Sequence, residues 1–222
     1  MDISEAIVSR HSVRSYTDRE LEDDVIKALK EEIEDCNKEG GLNIQLAVNE
    51  PKAFSGFMAH YGKFRNVKNY IALVGKKSAD LDERLGYYGE RLVLKAQILG
   101  LNTCWVAMSY SKSKAACRIG SDEKLVCVLA LGYGETMGVQ HKSKEADKVS
   151  RAEGQAPEWF AKGVEAALLA PTAMNQQKFM LTFNEYGVKA ESTGGFYSKV
   201  DLGIVKYHFE IAAGKENFMW IE

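Results

Sequence analysis

Two short stretches of this 222-residue chain carry the residue types best suited to chemistry. In Arg10-His11-Ser12-Val13-Arg14, two guanidiniums and a hydroxyl lie next to a short N-terminal helix. Arg binds phosphate bidentately, so this run suits a terminal phosphate. In Ala170-Pro171-Thr172-Ala173-Met174-Asn175-Gln176-Gln177, a helix end broken by proline is followed by amides and small residues. Such a stretch can present donors and acceptors to a planar heterocycle.

Each signal has a plainer reading when taken singly. Charged residues are mostly exposed, and an Arg-x-x-x-Arg after a helix is usually a solvated surface. Lys142 and Lys144 are a basic pair in a polar segment. Ala170-Pro171-Thr172 could be a simple helix stop and Asn175 a turn residue. Gly132-Tyr133-Gly134 with Gly138 has the wrong spacing for a dinucleotide loop, and no helix follows it. His60 and His208 lack partners at metal spacing and read as structural, so no metal site is expected. Cys104, on an apolar strand, reads as a buried thiol. No residue stands out as a catalytic acid or base.

The elements that must position these residues can be read from periodicity. A short helix covers 2–9 and a second covers about 20–38, with Leu21, Val25, Ile26, Leu29 and Ile33 at helical spacing and Gly40-Gly41 closing it. Leu42–Val48 alternates as a half-buried strand, and Tyr70–Val74 is continuously apolar, as in a central strand. The 84–100 segment is a helix with a broad apolar surface, expected deep in a core or a subunit interface. Strands follow at Thr103–Met108 and Leu125–Leu131, then a polar, irregular 133–156 that reads as a linker. Pro157 opens a helix running to about Ala170. Phe179–Phe183 and 187–191 are strands, Asp201 caps a helix ending at Gly214, and Phe218–Ile221 is a last strand. Residues 163–221 partly repeat the element order of the first half, weak evidence for duplication. The mixture of elements indicates an α+β fold.

Composition is ordinary for a globular chain: 45% hydrophobic, 27% charged and only 3 Pro. A net charge of -2 gives no basic footprint for nucleic acid or membrane. The four cysteines form no CxxC pair, which suits reduced thiols in a cytoplasmic setting. The first residues lack the apolar core of a signal peptide, and no apolar run approaches the roughly 20 residues that span a bilayer.

Several short motifs, in order, resemble the nitroreductase family of FMN enzymes. They are Ser9-Arg10-His11-Ser12-Val13-Arg14-Ser15-Tyr16, the helix Tyr88–Gly100 leading into Leu101-Asn102-Thr103-Cys104-Trp105, the strand and loop Leu129–Gly134, and His141-Lys142-Ser143-Lys144. The resemblance covers most of the chain, and its specificity lies in the joint order. One departure matters. The family's Pro-Ser/Thr-x-x-Asn-x-Gln stretch ordinarily lies early, after the second helix, where this chain has Cys36–Leu46; here it stands at 171–177.

Ordinary members are homodimers with FMN at the interface. The displaced motif resembles a branch in which both half-sites are fused in one chain. The resemblance thus implies a nitroreductase-like fold of mixed or antiparallel sheet flanked by helices, in two pseudo-symmetric halves. Residues 1–150 would supply phosphate and ribityl contacts, and 151–222 the flavin wall. By the same resemblance Arg10, Ser12 and Arg14 contact phosphate, ribityl and ring, with His11 adjacent. Val106, Ala107 and Met108 pass flavin N5, and Lys142 and Lys144 fold back beside the two arginines to complete a phosphate cage. Pro171, Thr172, Met174 and Asn175 line the isoalloxazine.

The implied activity is electron transfer from NAD(P)H, a transient donor, through bound FMN to a nitroaromatic, quinone or similar electron-poor small molecule, with the redox chemistry belonging to the flavin. Tyr110, Phe196 and Tyr197 are candidate aromatic walls for the acceptor. A monomeric pseudo-dimer or weak homodimer is expected. The alternative is an FMN-binding protein without significant turnover, acting as carrier, sensor or partner subunit.

Overall fold

A computed structural model describes residues 1–222. The chain packs as two compact units, residues 10–81 with 91–140 and residues 1–9 with 82–90 and 141–222. The expected halves, 1–150 and 151–222, follow chain order, whereas these units interleave along it.

In the 10–81/91–140 unit, helix α2 (Asp23–Gly40) buries Val25, Leu29, Ile33 and Cys36 along one stripe. It ends where Gly41 takes the left-handed conformation (φ 58°) and its N–H reaches Asn37 O. The sheet has strand order β1-β2-β4-β3, all antiparallel: β1 (Gln45–Ala47), β2 (Asn69–Lys76), β3 (Asn102–Val106) and β4 (Glu123–Gly132). The uninterrupted apolar run at Tyr70–Val74 lies inside β2, an interior strand as its sequence implies. A register shift after Leu73 leaves Val126 as the extra residue of a bulge. On one sheet face Tyr70, Ala72, Val74, Cys104, Val106, Val128 and Ala130 form a core with Val13, Tyr16, Phe54, Phe64 and Tyr110. Helix α4 (Leu81–Ile98) is tied to α2 by Arg91, whose Nε lies 2.6 Å from Glu32. All four cysteines belong to this unit; none is in a disulfide, and only Cys117 is part-exposed.

Three departures concern this unit. The anticipated strand at 42–48 shortens to three residues, and the one at 103–108 ends at Val106. Helix α3 (Phe57–Tyr61) was not legible, because it is five residues long and exposes Phe57, Met58 and Tyr61, so no apolar stripe marks it.

The second unit holds helix α1 (Ile3–Ser9), the 82–90 stretch of α4, β5 (Ser150–Ala152), α5 (Glu158–Ala167), β6 (Phe179–Asn184), β7 (Gly187–Ser192), α6 (Ser198–Ala213) and β8 (Trp220–Ile221). Strand order is β5-β6-β7-β8, with β6 and β7 antiparallel and the outer pairs parallel. The 133–156 segment is therefore not all linker. Buried Val149 leads into β5, and its carbonyl accepts from Leu181 N–H at 2.8 Å. The last strand is shorter than anticipated, because Phe218 instead stacks on Trp159, with ring centroids 5.5 Å apart.

Helix α6 is the pillar of this unit. A Cβ on Gly203 would lie 1.9 Å from Glu83 O, and one on Gly86 would lie 2.0 Å from Val200 O, so glycine at both places lets α4 and α6 touch backbone to backbone. A Cβ on Gly163 of α5 would meet the Phe209 ring at 2.5 Å. Asp201 does not cap α6 as its position suggests. Left-handed Tyr197 precedes the helix and Asp201 sits in the first turn, its carboxylate turned to other donors. No helix is long and apolar enough to cross a membrane.

Candidate functional site

In the first unit, the Arg10–Arg14 segment runs beside β3. Ser12 bridges Thr103 in parallel sense, and Val13 N–H donates to Thr103 O at 2.9 Å. Three features fix this course. Val13 is buried in the core, and Tyr16 Oη donates to Val13 O at 2.7 Å and lies 3.2 Å from Ala130 O. Gly134 N–H donates to Asn102 Oδ1 at 3.0 Å, where a Cβ would come within 2.7 Å of that same oxygen. Gly138, at φ 73°, passes so close that a Cβ would lie 2.8 Å from His11 Cβ. The glycines of 132–138 thus serve as packing against the arginine segment.

Arg10 is only 3% exposed, while Arg14 is exposed, with its guanidinium carbon 5.9 Å from the Phe64 ring centre. Cys104 lies among them. Burial pushes its thiol up, and the charges of Arg14 and Arg10 with the Ser12 hydroxyl pull the other way without prevailing. A buried thiol raised in this way is no nucleophile. Beyond β3, Arg14, the Tyr61–Phe64 turn, Trp105–Ala107 and Ser109 line a cavity of about 390 Å³. Arg14, Val106 and Ala107 are therefore together, and Met108 beside them is exposed. Tyr110 faces the core, stacked on Phe54 at 6.0 Å, and is no wall of the cavity.

The second unit gathers the other predicted residues. Lys142 O accepts from Asn175 Nδ2 at 2.9 Å and from Gln177 Nε2 at 3.0 Å. Lys144 gives its N–H to Gln177 Oε1 and its Nζ to Gln177 O, both at 2.8 Å. His141 Nε2 and Ser143 Oγ each lie 2.9 Å from Leu168 O. The 141–144 segment is thus stitched to the turn that carries Pro171, Thr172, Met174 and Asn175. Thr172 Oγ1 accepts from Gln177 N–H at 3.0 Å.

That turn is conformationally unusual. Met174, Asn175 and Gln177 all have left-handed φ, at 54°, 53° and 45°. Side chains disfavour this region, and such residues persist only where neighbours over-determine them. Here the neighbours include Asp201: Oδ1 accepts from Ala173 N–H at 2.9 Å and Oδ2 from Gln176 Nε2 at 2.7 Å. Burial pushes the Asp201 carboxyl up to about 6, against the downward pull of those two hydrogen bonds. Met174 stands out at 92% exposed. The sequence named this turn, with Gln177 at its end and Asp201 as a helix cap, but gave neither a part in holding it; the burial of a polar Gln177 between loop residues has no periodic signature.

The chain matches a family model described as "Putative TM nitroreductase" over residues 2–213. Among solved structures, it is similar to a "putative nitroreductase" from Thermotoga maritima MSB8 at 25% identity and TM-score 0.68, over 97% of this chain and 85% of that one. It shares its fold with a Desulfovibrio desulfuricans "putative nitroreductase in complex with FMN" at 15% identity and TM-score 0.54, over 71% of this chain and 98% of that one. The same holds for an "FMN and NADPH-dependent nitroreductase" NfnB mutant from a Sphingopyxis strain, at 15% identity and TM-score 0.54, over 70% of this chain and 100% of that one. No curated protein matches the sequence.

Proposed function

This chain belongs to the nitroreductase-like family whose model it matches over residues 2–213, and on that premise we propose that it is an FMN-dependent oxidoreductase taking electrons from NAD(P)H to an electron-poor acceptor such as a nitroaromatic or quinone. The observation that carries the reading is the registration of Arg10–Arg14 on β3 beside the cavity bounded by Arg14, Trp105, Val106 and Ala107. A volume of about 390 Å³ falls within the range of roughly 300–1,000 Å³ usual for small-molecule sites. The donor set fits as well, since two nearby guanidiniums suit a phosphate and strand-end backbone groups suit a planar ring edge.

Bound FMN would supply the electron and hydride chemistry. Arg10, buried at 3% exposure, and Arg14, at the cavity wall, would neutralise the phosphate and orient the ring. Ser12 and His11 serve the ribityl chain. By family resemblance, the Val106–Met108 backbone would contact the flavin ring. By the same resemblance, Lys142, Lys144 and the Pro171–Asn175 turn would also contact FMN, as expected of a fused pseudo-dimer. Fragments 1–150 and 151–222 expressed separately would then each fail to retain FMN.

The deciding experiment is stopped-flow absorbance on purified protein reconstituted with FMN. Bleaching of the flavin band by NADH or NADPH, and its return on adding a nitroaromatic or quinone, is the expected result. Bound flavin that neither donor reduces would mean a flavin-binding protein without turnover, and no binding at all would overturn the reading.

A further inference from the structure

We infer that Asp201 is a positioning residue, holding the Pro171–Gln177 turn in the one conformation that serves the cofactor. The inference rests on the flavin reading for its last step alone; the positioning itself is a property of the chain.

An acidic residue in the first turn of a helix has an ordinary use, complementing the positive end of the helix. Asp201 departs from that use. It is 4% exposed, and both its oxygens are turned to the 173–176 turn: Oδ1 to Ala173 N–H at 2.9 Å, Oδ2 to Gln176 Nε2 at 2.7 Å. One carboxylate thus pins both ends of the turn, and between its anchor points lie Met174 and Asn175 in left-handed backbone. The Gln176 amide has no freedom to reverse. The same Nε2 donates to Phe196 O at 2.7 Å, so both acceptors call for the nitrogen at this end. Phe196 in turn leads to left-handed Tyr197, whose carbonyl accepts from Asp201 N–H at 3.0 Å. The two irregular segments 173–176 and 196–197 therefore converge on one buried acid.

The consequence is a turn that holds Met174 outward at 92% exposure. On the flavin reading that displayed face is the ring wall. Asp201 never touches the ring and acts through the backbone of the turn.

The test pairs Asp201→Asn with Gln176→Ala and their double variant. Asn keeps an acceptor for Ala173 N–H but sets its amide NH₂ against Gln176 Nε2, donor against donor. Hydrogen exchange of the flavin-free proteins reads the positioning directly. In Asp201→Asn the Ala173 and Gln177 amides should exchange at least tenfold faster, with amides in β6 and β7 unchanged. FMN titration and steady-state kinetics at saturating FMN read the cofactor step. FMN Kd should rise about 10- to 100-fold, the range for one charge-assisted hydrogen bond. The double variant should be little worse than Gln176→Ala alone, since both lose the Asp201–Gln176 contact.

Unchanged exchange at 173–177 overturns the positioning role, whether or not flavin binds. Faster exchange with FMN affinity and kinetics identical to those of the natural chain overturns the link to the cofactor. A natural chain that takes up no FMN refutes the flavin reading separately, and the exchange data still decide whether Asp201 holds the turn.

Discussion

His208 Nε2 lies 2.9 Å from Glu90 Oε1, with both side chains at 0% exposure. The other ring nitrogen, Nδ1, is 3.0 Å from Ala166 O. A carbonyl only accepts, so Nδ1 carries a hydrogen, and a single further proton is shared between Nε2 and the carboxyl. Whichever atom owns it, the pair as a whole is neutral, which lets it sit in the middle of a helical core. Removing one partner strands the other. Glu90→Ala should lower unfolding free energy by about 3–5 kcal/mol, whereas Glu90→Gln, which can donate to Nε2, should lose much less. Urea denaturation of both variants measures the difference; equal losses would show that the hydrogen bond is not what matters.

The α4–α6 crossing gives a second prediction. Because a Cβ on Gly203 would stand 1.9 Å from Glu83 O, the helices must separate to admit one. Gly203→Ala should destabilise by about 1–3 kcal/mol, the usual scale of overpacking, despite the better helix propensity of alanine. A thermal midpoint equal to or above that of the natural chain would contradict the close approach.

Arg10→Ala should weaken FMN binding by about 1.5–3 kcal/mol, the scale of a charge-assisted hydrogen bond. Fluorescence titration of the apoprotein with FMN gives the value directly. Stoichiometric FMN in the purified variant would count against Arg10 as a phosphate ligand.

If Lys142 and Lys144 belong to the phosphate cage, FMN affinity falls as ionic strength rises. Changing both to Gln should lower that affinity and flatten its salt dependence. Loss of the 2.8 Å bond from the Lys144 ammonium to Gln177 O adds a stability change of at most about 1.5–3 kcal/mol, the scale of a charge-assisted hydrogen bond. The same affinity and salt response in the double variant would place the cage elsewhere.

Asp201 predicts a pH dependence with a defined sign. Its folded carboxyl is raised by burial to about 6 from an ordinary 3.8. The folded chain therefore holds the proton more tightly than the unfolded one between these values. The stability this group contributes is fully present below about pH 4 and is lost as pH rises through about 6, some 3 kcal/mol at 1.36 kcal/mol per unit. Its hydrogen-bonded neighbours, the Ala173 amide and the Gln176 carboxamide, do not titrate. The stability difference between the natural chain and Asp201→Asn, followed from pH 4 to pH 7, isolates the effect. A difference that stays flat, or grows in favour of the natural chain, would refute it.

The elements with long apolar patterns were legible in the sequence. Strand β2 announced itself by its unbroken run, and α2 by Val25, Leu29 and Ile33 at helical spacing. What escaped was short or non-local. Strand β5 has three residues and two of them are exposed; only the pairing of Ser150–Ala152 with Leu181–Phe183 makes it a strand. Asp201 looked like a helix cap because its partners lie 25 and 28 positions away, and no local pattern encodes such a bond. At the site, the resemblance supplied the roles of Arg10 and Arg14, while the periodicity of the chain supplied only strand β3 beside them. The parallel bridge from Ser12 to Thr103, which places one against the other, required the fold.

Every thiol of the chain resides in the 10–81/91–140 unit, with Cys36, Cys104 and Cys127 buried and Cys117 partly accessible, while Trp159 and Trp220 reside in the other unit. The two units thereby carry different probes, all the thiols in the first and two of the three indoles in the second. A colorimetric disulfide reagent will titrate at most one slow sulfur in the native protein and three more only as the first unit opens. Indole emission, corrected for Trp105, follows the second. Whether the two units melt together or in sequence can be timed in one cuvette, with no engineered probe.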